Sequence, residues 1–391
     1  MRALLTSTLS RFISEERYNP KSVTDLTCLK AALYIMLLAF FFSPPPIERL
    51  TSGFHLNDRF KAFSEQINGT YNSASYSIES HESKLSYRIV PGLIGKLSFS
   101  SNPRIQMLFL YLVQVTFGFI SILILLKGFY KLTQDWLYSV VVTSGLMLTH
   151  LGSSFFYDTS FFLDGYPFFL MILAMFTPYT WLSFALIFIS FWCDERVILG
   201  GIAIVIFRNY NELNKVSLKN YLLSKNSILF VSIVGIYALI RLWVTYRYAI
   251  SIPLGNRAGV GFSAIWEQRN HLAIAQLFTF EFCWIYLLPV FIFFYRESKA
   301  LFFMIFLYLA ISIPLTGIVL DVMRSVNYLF PIIILGIVIY SKQESRKEVN
   351  NVAFVSTLLN LIIPNYRYFY NFYIVIPLPL KIIELAFASQ T

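Results

Sequence analysis

An all-α, polytopic bundle of transmembrane helices is the fold class this sequence predicts, and three observations predict it. The 391 residues are 57% hydrophobic and 18% aromatic. Only 13% are charged, about half of the roughly 25% found in soluble domains. The apolar residues also fall in runs long enough to cross a hydrocarbon core of about 30 Å, and mean hydropathy is +0.63.

Taken in order, residues 1–28 interrupt their short apolar runs with Arg11, Glu15, Glu16 and Arg17. A cleavable signal peptide does not do this, so the segment reads as a cytoplasmic interfacial helix. The first span, 29–43, stops at Ser43-Pro44-Pro45-Pro46. Residues 44–104 form the one sizeable outer loop. Within it, LNDRFKAFSEQI places Leu56, Phe60, Phe63 and Ile67 at helical spacing, with Asp58, Arg59 and Glu65 elsewhere on the wheel. This pattern predicts an amphipathic helix lying on the membrane surface. The polar stretch NGTYNSASYSIESHES after it reads as loop.

The bundle proper covers 105–363, with apolar runs at 105–126, 136–156, 160–177, 226–246, 271–295, 300–319 and 325–341 and a weaker one at 352–363. Residues 364–391 are a C-terminal interfacial segment. With 178–208 divided in two, the count is about ten to eleven spans.

That division rests on charge. FWCDERVILGG puts Asp194, Glu195 and Arg196 side by side in the middle of an otherwise apolar stretch. A single helix over 178–208 would be about 46 Å long and would hold all three near the bilayer centre, at roughly 2.5 to 3.5 kcal/mol each. Two short spans, 179–192 and 196–208, place them in a turn instead. Loop charge favours the second arrangement. With a cytoplasmic N-terminus, the short inner loops 127–135, 208–225, 296–299 and 342–348 carry eleven Lys or Arg, against five in outer turns of nearly equal total length.

The net charge of +10 comes with no basic cluster, so nucleic acid is not an expected partner and retention at the inner face accounts for it. Cys28, Cys193 and Cys283 have neither metal-ligand spacing nor the pattern of a disulfide framework. GxxxxGK[ST], GxGxxG and GxSxG are all absent, which argues against nucleotide-driven transport and serine-hydrolase chemistry.

The remaining charges gather on the outer face: Asp58, Glu79, His81, Glu82 and Arg88 from the long loop, Asp158 and Asp164, the Asp194-Glu195-Arg196 turn, and Asp321 with Arg324. Each has a plain alternative. Asp58 fits a solvated helix face, and the Asp-Glu-Arg turn fits a helix cap. Asp321 and Arg324, three apart, fit a salt bridge as well as a ligand contact. Asp164 and Glu281 are carboxylates in apolar sequence, and each requires a partner, for which Arg241 suits Glu281. His150 reads as a hydrogen-bonded interior histidine. A lipid-phosphate donor needs arginines for its phosphate and a carboxylate to deprotonate an acceptor hydroxyl. Arg196 and Arg324 suit the first task, with Arg88 and Asp321 beside them, and Asp58, Asp194 or Glu195 the second. Gly200 and Gly201 leave room for a helix or lipid chain to approach.

An N-terminal span, a large outer loop opening on an acid-bearing amphipathic helix and many further helices together resemble the GT-C superfamily of integral membrane glycosyltransferases. The resemblance covers the architecture of roughly the first 340 residues. It implies a polyprenyl-phosphate-linked sugar donor, a glycan or lipid acceptor and transfer at the outer (periplasmic or luminal) face. It also implies a base or metal-ligand role for an early loop carboxylate, a position that Asp58 in HLNDRF matches. Arg59 stands where a second acid is common in that family, so no cofactor is expected and a divalent metal lacks support from the sequence. SYRIVPGLIGKL resembles segments of bacterial membrane proteins linked to surface polysaccharide, which implies a bacterial inner membrane. Two other classes remain open. A polysaccharide polymerase or ligase would rest on Arg88, Arg257 and Arg269, and a transporter or lipid flippase on Asp164, Arg241 and Glu281.

Overall fold

The computed structural model describes residues 23–45, 58–72, 82–158, 162–212, 217–248, 261–342, 345–363, 365–369 and 371–388. The chain forms the expected all-α bundle. Helices α1 (Asp25–Phe42), α2 (Asp58–Asn68), α3 (Ile89–Gly95) and α4 (Pro103–Thr133) lead into α5 (Trp136–Met147), α6 (His150–Phe156), α7 (Gly165–Phe176), α8 (Thr180–Phe191) and α9 (Val197–Glu212). Then follow α10 (Leu218–Leu222), α11 (Lys225–Tyr248), α12 (Phe262–Gln268), α13 (Leu272–Phe280), a 3-10 segment (Glu281–Tyr286) and α14 (Leu287–Glu297). The last helices are α15 (Lys299–Thr316), α16 (Val322–Asn327), α17 (Phe330–Ser341), α18 (Arg346–Ile362) and α19 (Leu378–Ala388). Before α19 stands a hairpin of β1 (Tyr366–Phe369) and β2 (Asn371–Ile374), antiparallel with Tyr366 opposite Ile374. The aromatic, β-branched run YRYFYNFYIV favours strand there, inside a segment the sequence had marked only as interfacial.

Local chemistry sets the helix ends. The Thr24 side chain caps α1 by accepting the Thr27 N–H, and Asn102 caps α4 with Pro103 in the first turn. Asp135 caps α5 through the Tyr138 N–H. Between α5 and α6 the chain bends by 71°. A Cβ at Gly152 would run into the Met147 carbonyl, so glycine is what permits this bend.

Among the described residues, five helical stretches are long and apolar enough to cross a membrane: Asp25–Phe42, Pro103–Thr133, Lys225–Arg247, Leu272–Ile292 and Lys299–Thr316. Counting the bent α5–α6 pair as one span makes six. The other apolar runs are short helices, and this is where the expected ten to eleven spans are reduced. Helix α17 shows why. Its 12 residues rise only about 18 Å, yet every side chain from Phe330 to Tyr340 is buried in neighbouring helices. A helix apolar on all sides can be surrounded by protein as readily as by lipid.

Helix α2 departs from expectation in the same direction. Phe60, Phe63 and Ile67 are buried, but against Leu85, Met107, Leu110, Tyr166 and Cys193, and they form a second, smaller core. Its apolar stripe packs on α3 and α4 and on protein at that end of the bundle.

Candidate functional site

The break between α8 and α9 falls at Trp192–Arg196, where the charges predicted a turn. The Asp194 N–H donates to the Ser190 carbonyl, closing α8 (3.1 Å). The Asp194 carboxylate then folds over the start of α9, and its Oδ1 accepts the Arg196 backbone N–H at 3.0 Å. The same carboxylate takes the Arg196 guanidinium through both oxygens, Nε to Oδ1 and Nη2 to Oδ2, each at 2.8 Å. So the cap reading of this turn is correct in part, and it accounts for only one of the contacts these charges make.

From this turn a network of charge spreads across four segments. Arg88, just before α3, reaches Asp194 Oδ2 at 2.8 Å and Glu195 at 3.8 Å. Arg196 also donates to Asp164 Oδ1 at 3.2 Å and to Ser325 Oγ at 3.3 Å. Arg324 grips Asp164 with Nε and Nη2, the latter at 2.9 Å, and donates Nη1 to Asp321 at 2.6 Å. The Tyr328 hydroxyl donates to Asp164 Oδ1 at 3.3 Å. Phe162 lies under the Arg324 guanidinium at 3.6 Å, and Tyr328 under that of Arg196 at 5.0 Å.

Asp164 is the hub, and a strained turn delivers it. Leu163 adopts the left-handed backbone conformation, with φ of 56°. The Asp158 carboxylate holds that turn by accepting the Leu163 N–H at 2.8 Å. Asp158 thus shapes the loop that aims its neighbour into the cluster.

Burial makes the pairing obligatory. The side chains of Asp194, Asp164 and Asp321 are only 2%, 4% and 8% exposed. Burial alone would push the Asp194 carboxyl up, but the charges of Arg196 and Arg88 outweigh it and hold the group below the usual carboxylate range. Arg88 is held in its charged form by Asp194 and Glu195, whose attraction outweighs the cost of its burial. Glu195 differs from the other acids of the cluster. It is 35% exposed, and its contact with Arg88 is loose.

The structure therefore brings together Arg88, Asp194, Glu195, Arg196, Asp321 and Arg324, and adds Asp164, which the sequence marked only as needing a partner. Asp58 opens α2, whose body packs at this end of the molecule, but its side chain lies outside the described residues, as do Glu79, His81 and Arg257. Arg269 turns back on its own helix, donating to the Trp266 carbonyl at 2.9 Å.

One expectation fails. Arg241 does not pair with Glu281. It lies over the Tyr87 ring at 4.3 Å and donates to the Tyr237 hydroxyl at 3.0 Å, beside Arg88 and the Asp-Glu-Arg turn. Glu281 has both carboxyl oxygens buried with no hydrogen-bond partner among the described residues. The pairing was drawn from proximity in sequence, whereas the faces of the two helices point to different neighbours. Gly200 and Gly201 admit close neighbours as expected, and of the two kinds these are protein: Met171 and the Tyr328 carbonyl at Gly200, and Phe230 at Gly201.

The guanidiniums differ in what they have left to give. Arg196 and Arg324 direct their donors mainly at carboxylates. The Nε of Arg88 is buried and without a partner, and Arg241 has tyrosines but no carboxylate around it among the described residues. No three of His, Cys, Asp and Glu among the described residues converge as a metal site. The chain matches no protein-family model, and neither a curated protein nor a solved structure matches it.

Proposed function

We propose that the protein is an integral membrane glycosyltransferase that moves a sugar from a polyprenyl-phosphate-linked donor to a glycan or lipid acceptor at the end of the bundle carrying the charge cluster, taken as the outer (periplasmic) face. The observation that carries this reading is the chemical division within the cluster. Buried pairs fix the scaffold, while one accessible carboxylate, Glu195, stands beside two arginines with donors to offer, Arg88 and Arg241. In this reading Arg88 and Arg241 bind the donor phosphate. Glu195, or Asp58 from α2, takes the proton of the acceptor hydroxyl. The acceptor oxygen then forms its bond to the anomeric carbon as the bond to the lipid phosphate breaks, and the arginines stabilise the departing phosphate. Asp164, Asp194, Asp321, Arg196 and Arg324 hold the geometry.

A second reading, proton-coupled or ion-coupled transport, is favoured by one feature: the unpartnered carboxyl of Glu281 inside a candidate span. One experiment separates the two. Purified protein in lipid nanodiscs is offered a panel of short-chain polyprenyl-phosphate and polyprenyl-diphosphate sugars, and binding and turnover are read for each variant. Arg241→Gln is expected to weaken donor binding by about 1.5–3 kcal/mol, the loss of one charged hydrogen bond. Glu195→Gln is expected to bind donor and not turn it over. A wild-type protein that binds no member of the panel, together with uptake into vesicles that fails only in Glu281→Gln, replaces the transferase reading with the transporter.

A further inference from the structure

At the opposite end of α8 from the charge cluster lies a groove of about 700 Å³ between α8 and α11. Trp181, Phe184 and Phe188 form one wall, and Leu229, Ile233 and Ile236 the other. Lys225 stands at its mouth, exposed and without a partner among the described residues. From Lys225 to Ile236 the groove follows twelve residues of helix, a rise of about 16 Å, which is close to half the thickness of a hydrocarbon core of about 30 Å. Tyr179 and Trp181 flank the mouth, 61% and 70% exposed, as aromatic side chains do where a bilayer meets water.

A second groove, of about 530 Å³, adjoins the first and shares Pro178 with it. It carries Lys127, Lys131 and Arg208. Arg208 is buried and fixed, donating to the Thr177 carbonyl at 3.0 Å and to Thr180 Oγ1 at 3.2 Å. Lys127 meets Asp25 at 2.6 Å in an exposed pair, and Lys131 is exposed with no such partner among the described residues. No Asp or Glu lines either groove among the described residues. Lys225 thus lines an apolar trough about one leaflet deep, and Lys127, Lys131 and Arg208 line the groove that adjoins it at Pro178.

We propose that the groove between α8 and α11 is a binding site for an anionic membrane phospholipid, with its phosphate near Lys225 and Lys131 and one acyl chain along Phe184, Phe188, Leu229 and Ile233. The trough selects for a chain, the lysines select for a negative headgroup, and the mouth residues place the boundary between the two at the membrane surface. The site is independent of the transferase reading, because it shares no residue with the charge cluster.

Trp181 makes the test direct. The full chain is reconstituted in phosphatidylcholine nanodiscs containing a low fraction of either brominated phosphatidylglycerol or brominated phosphatidylcholine, and tryptophan quenching is measured. The Trp181 contribution is the difference between wild type and Trp181→Phe. Brominated phosphatidylglycerol is expected to quench that contribution several-fold more effectively than brominated phosphatidylcholine. The preference should vanish in the Lys131→Gln, Lys225→Gln double variant, whose folding is safe because both lysines are exposed and make no ion pair among the described residues. Millimolar inorganic phosphate should not relieve the quenching. Equal quenching by the two lipids in wild type, or a preference that survives the double variant, overturns the proposal. Relief by inorganic phosphate also overturns it, since the site would then be one for soluble phosphate.

Discussion

Asp164 and Glu281 are two acids in equally apolar stretches of sequence, and the fold treats them in opposite ways. Each stands at a helix break with left-handed backbone, φ of 56° at Leu163 just before Asp164 and 47° at Glu281 itself. Asp164 receives two guanidiniums and a phenol hydroxyl. Among the described residues Glu281 receives nothing, although Asn360 and Ser356 of α18 bond the backbone of its neighbour Phe282. The requirement that a membrane carboxylate be paired is therefore met at one break and left open at the other. An acid with partners is part of the scaffold, and an acid without them is available for chemistry or for a ligand.

The largest effect should come from breaking the paired side. Asp164→Asn leaves two buried guanidiniums short of their counter-charge, and removing one member of a buried ion pair costs about 3–5 kcal/mol. Thermal melting and monodisperse yield in detergent should both fall sharply. A change under about 1 kcal/mol would mean that Asp194 and Asp321 suffice for the two arginines, and that Asp164 is not the hub.

A smaller loss is expected from the packing that holds the hub in place. A Cβ at Gly200 would collide with the Met171 side chain and lie 2.6 Å from the Tyr328 carbonyl, a backbone atom that cannot rotate away. Gly200→Ala should destabilise by about 1–3 kcal/mol, as overpacking does. At Gly201 the neighbour is the Phe230 ring, a side chain that can move, so Gly201→Ala should cost less. The same melting measurement orders the two, and the reverse order would show that the Phe230 contact is the tighter one.

The smallest effect, and the sharpest contrast, belongs to Glu281. Glu281→Leu removes a buried carboxyl that has no bond to lose, so folded yield and melting temperature should be unchanged or higher. Asp164→Leu in parallel should be severely impaired. A marked loss of stability in Glu281→Leu would show that the carboxyl has a partner, such as a bound cation or water, in the folded protein.

The Asp194-Glu195-Arg196 turn and the helical periodicity of α2 were legible because they are local: insertion cost and side-chain spacing act within a few residues. The pairing of Asp164 was legible only as a need, since Arg196 is 32 residues away and Arg324 is 160 away in sequence. The sequence points Arg241 to Glu281, an acid it does not meet, because a charge inside a span announces that it wants a partner without saying on which helix face, or of what kind, that partner is; here it is Tyr87 and Tyr237.

The sequence by itself determined the class of the molecule, an all-α membrane bundle, because the transfer energy of long apolar runs is a sum over residues and needs no knowledge of neighbours. It also determined where the chain must break between α8 and α9. Tertiary structure alone decided which apolar helices can face lipid and which, like α17, are enclosed by protein. It alone left Glu195 as the accessible acid and set Arg88 and Arg241 apart from the other arginines. Those outcomes depend on which side chains meet across the bundle, and burial and pairing are properties of that meeting.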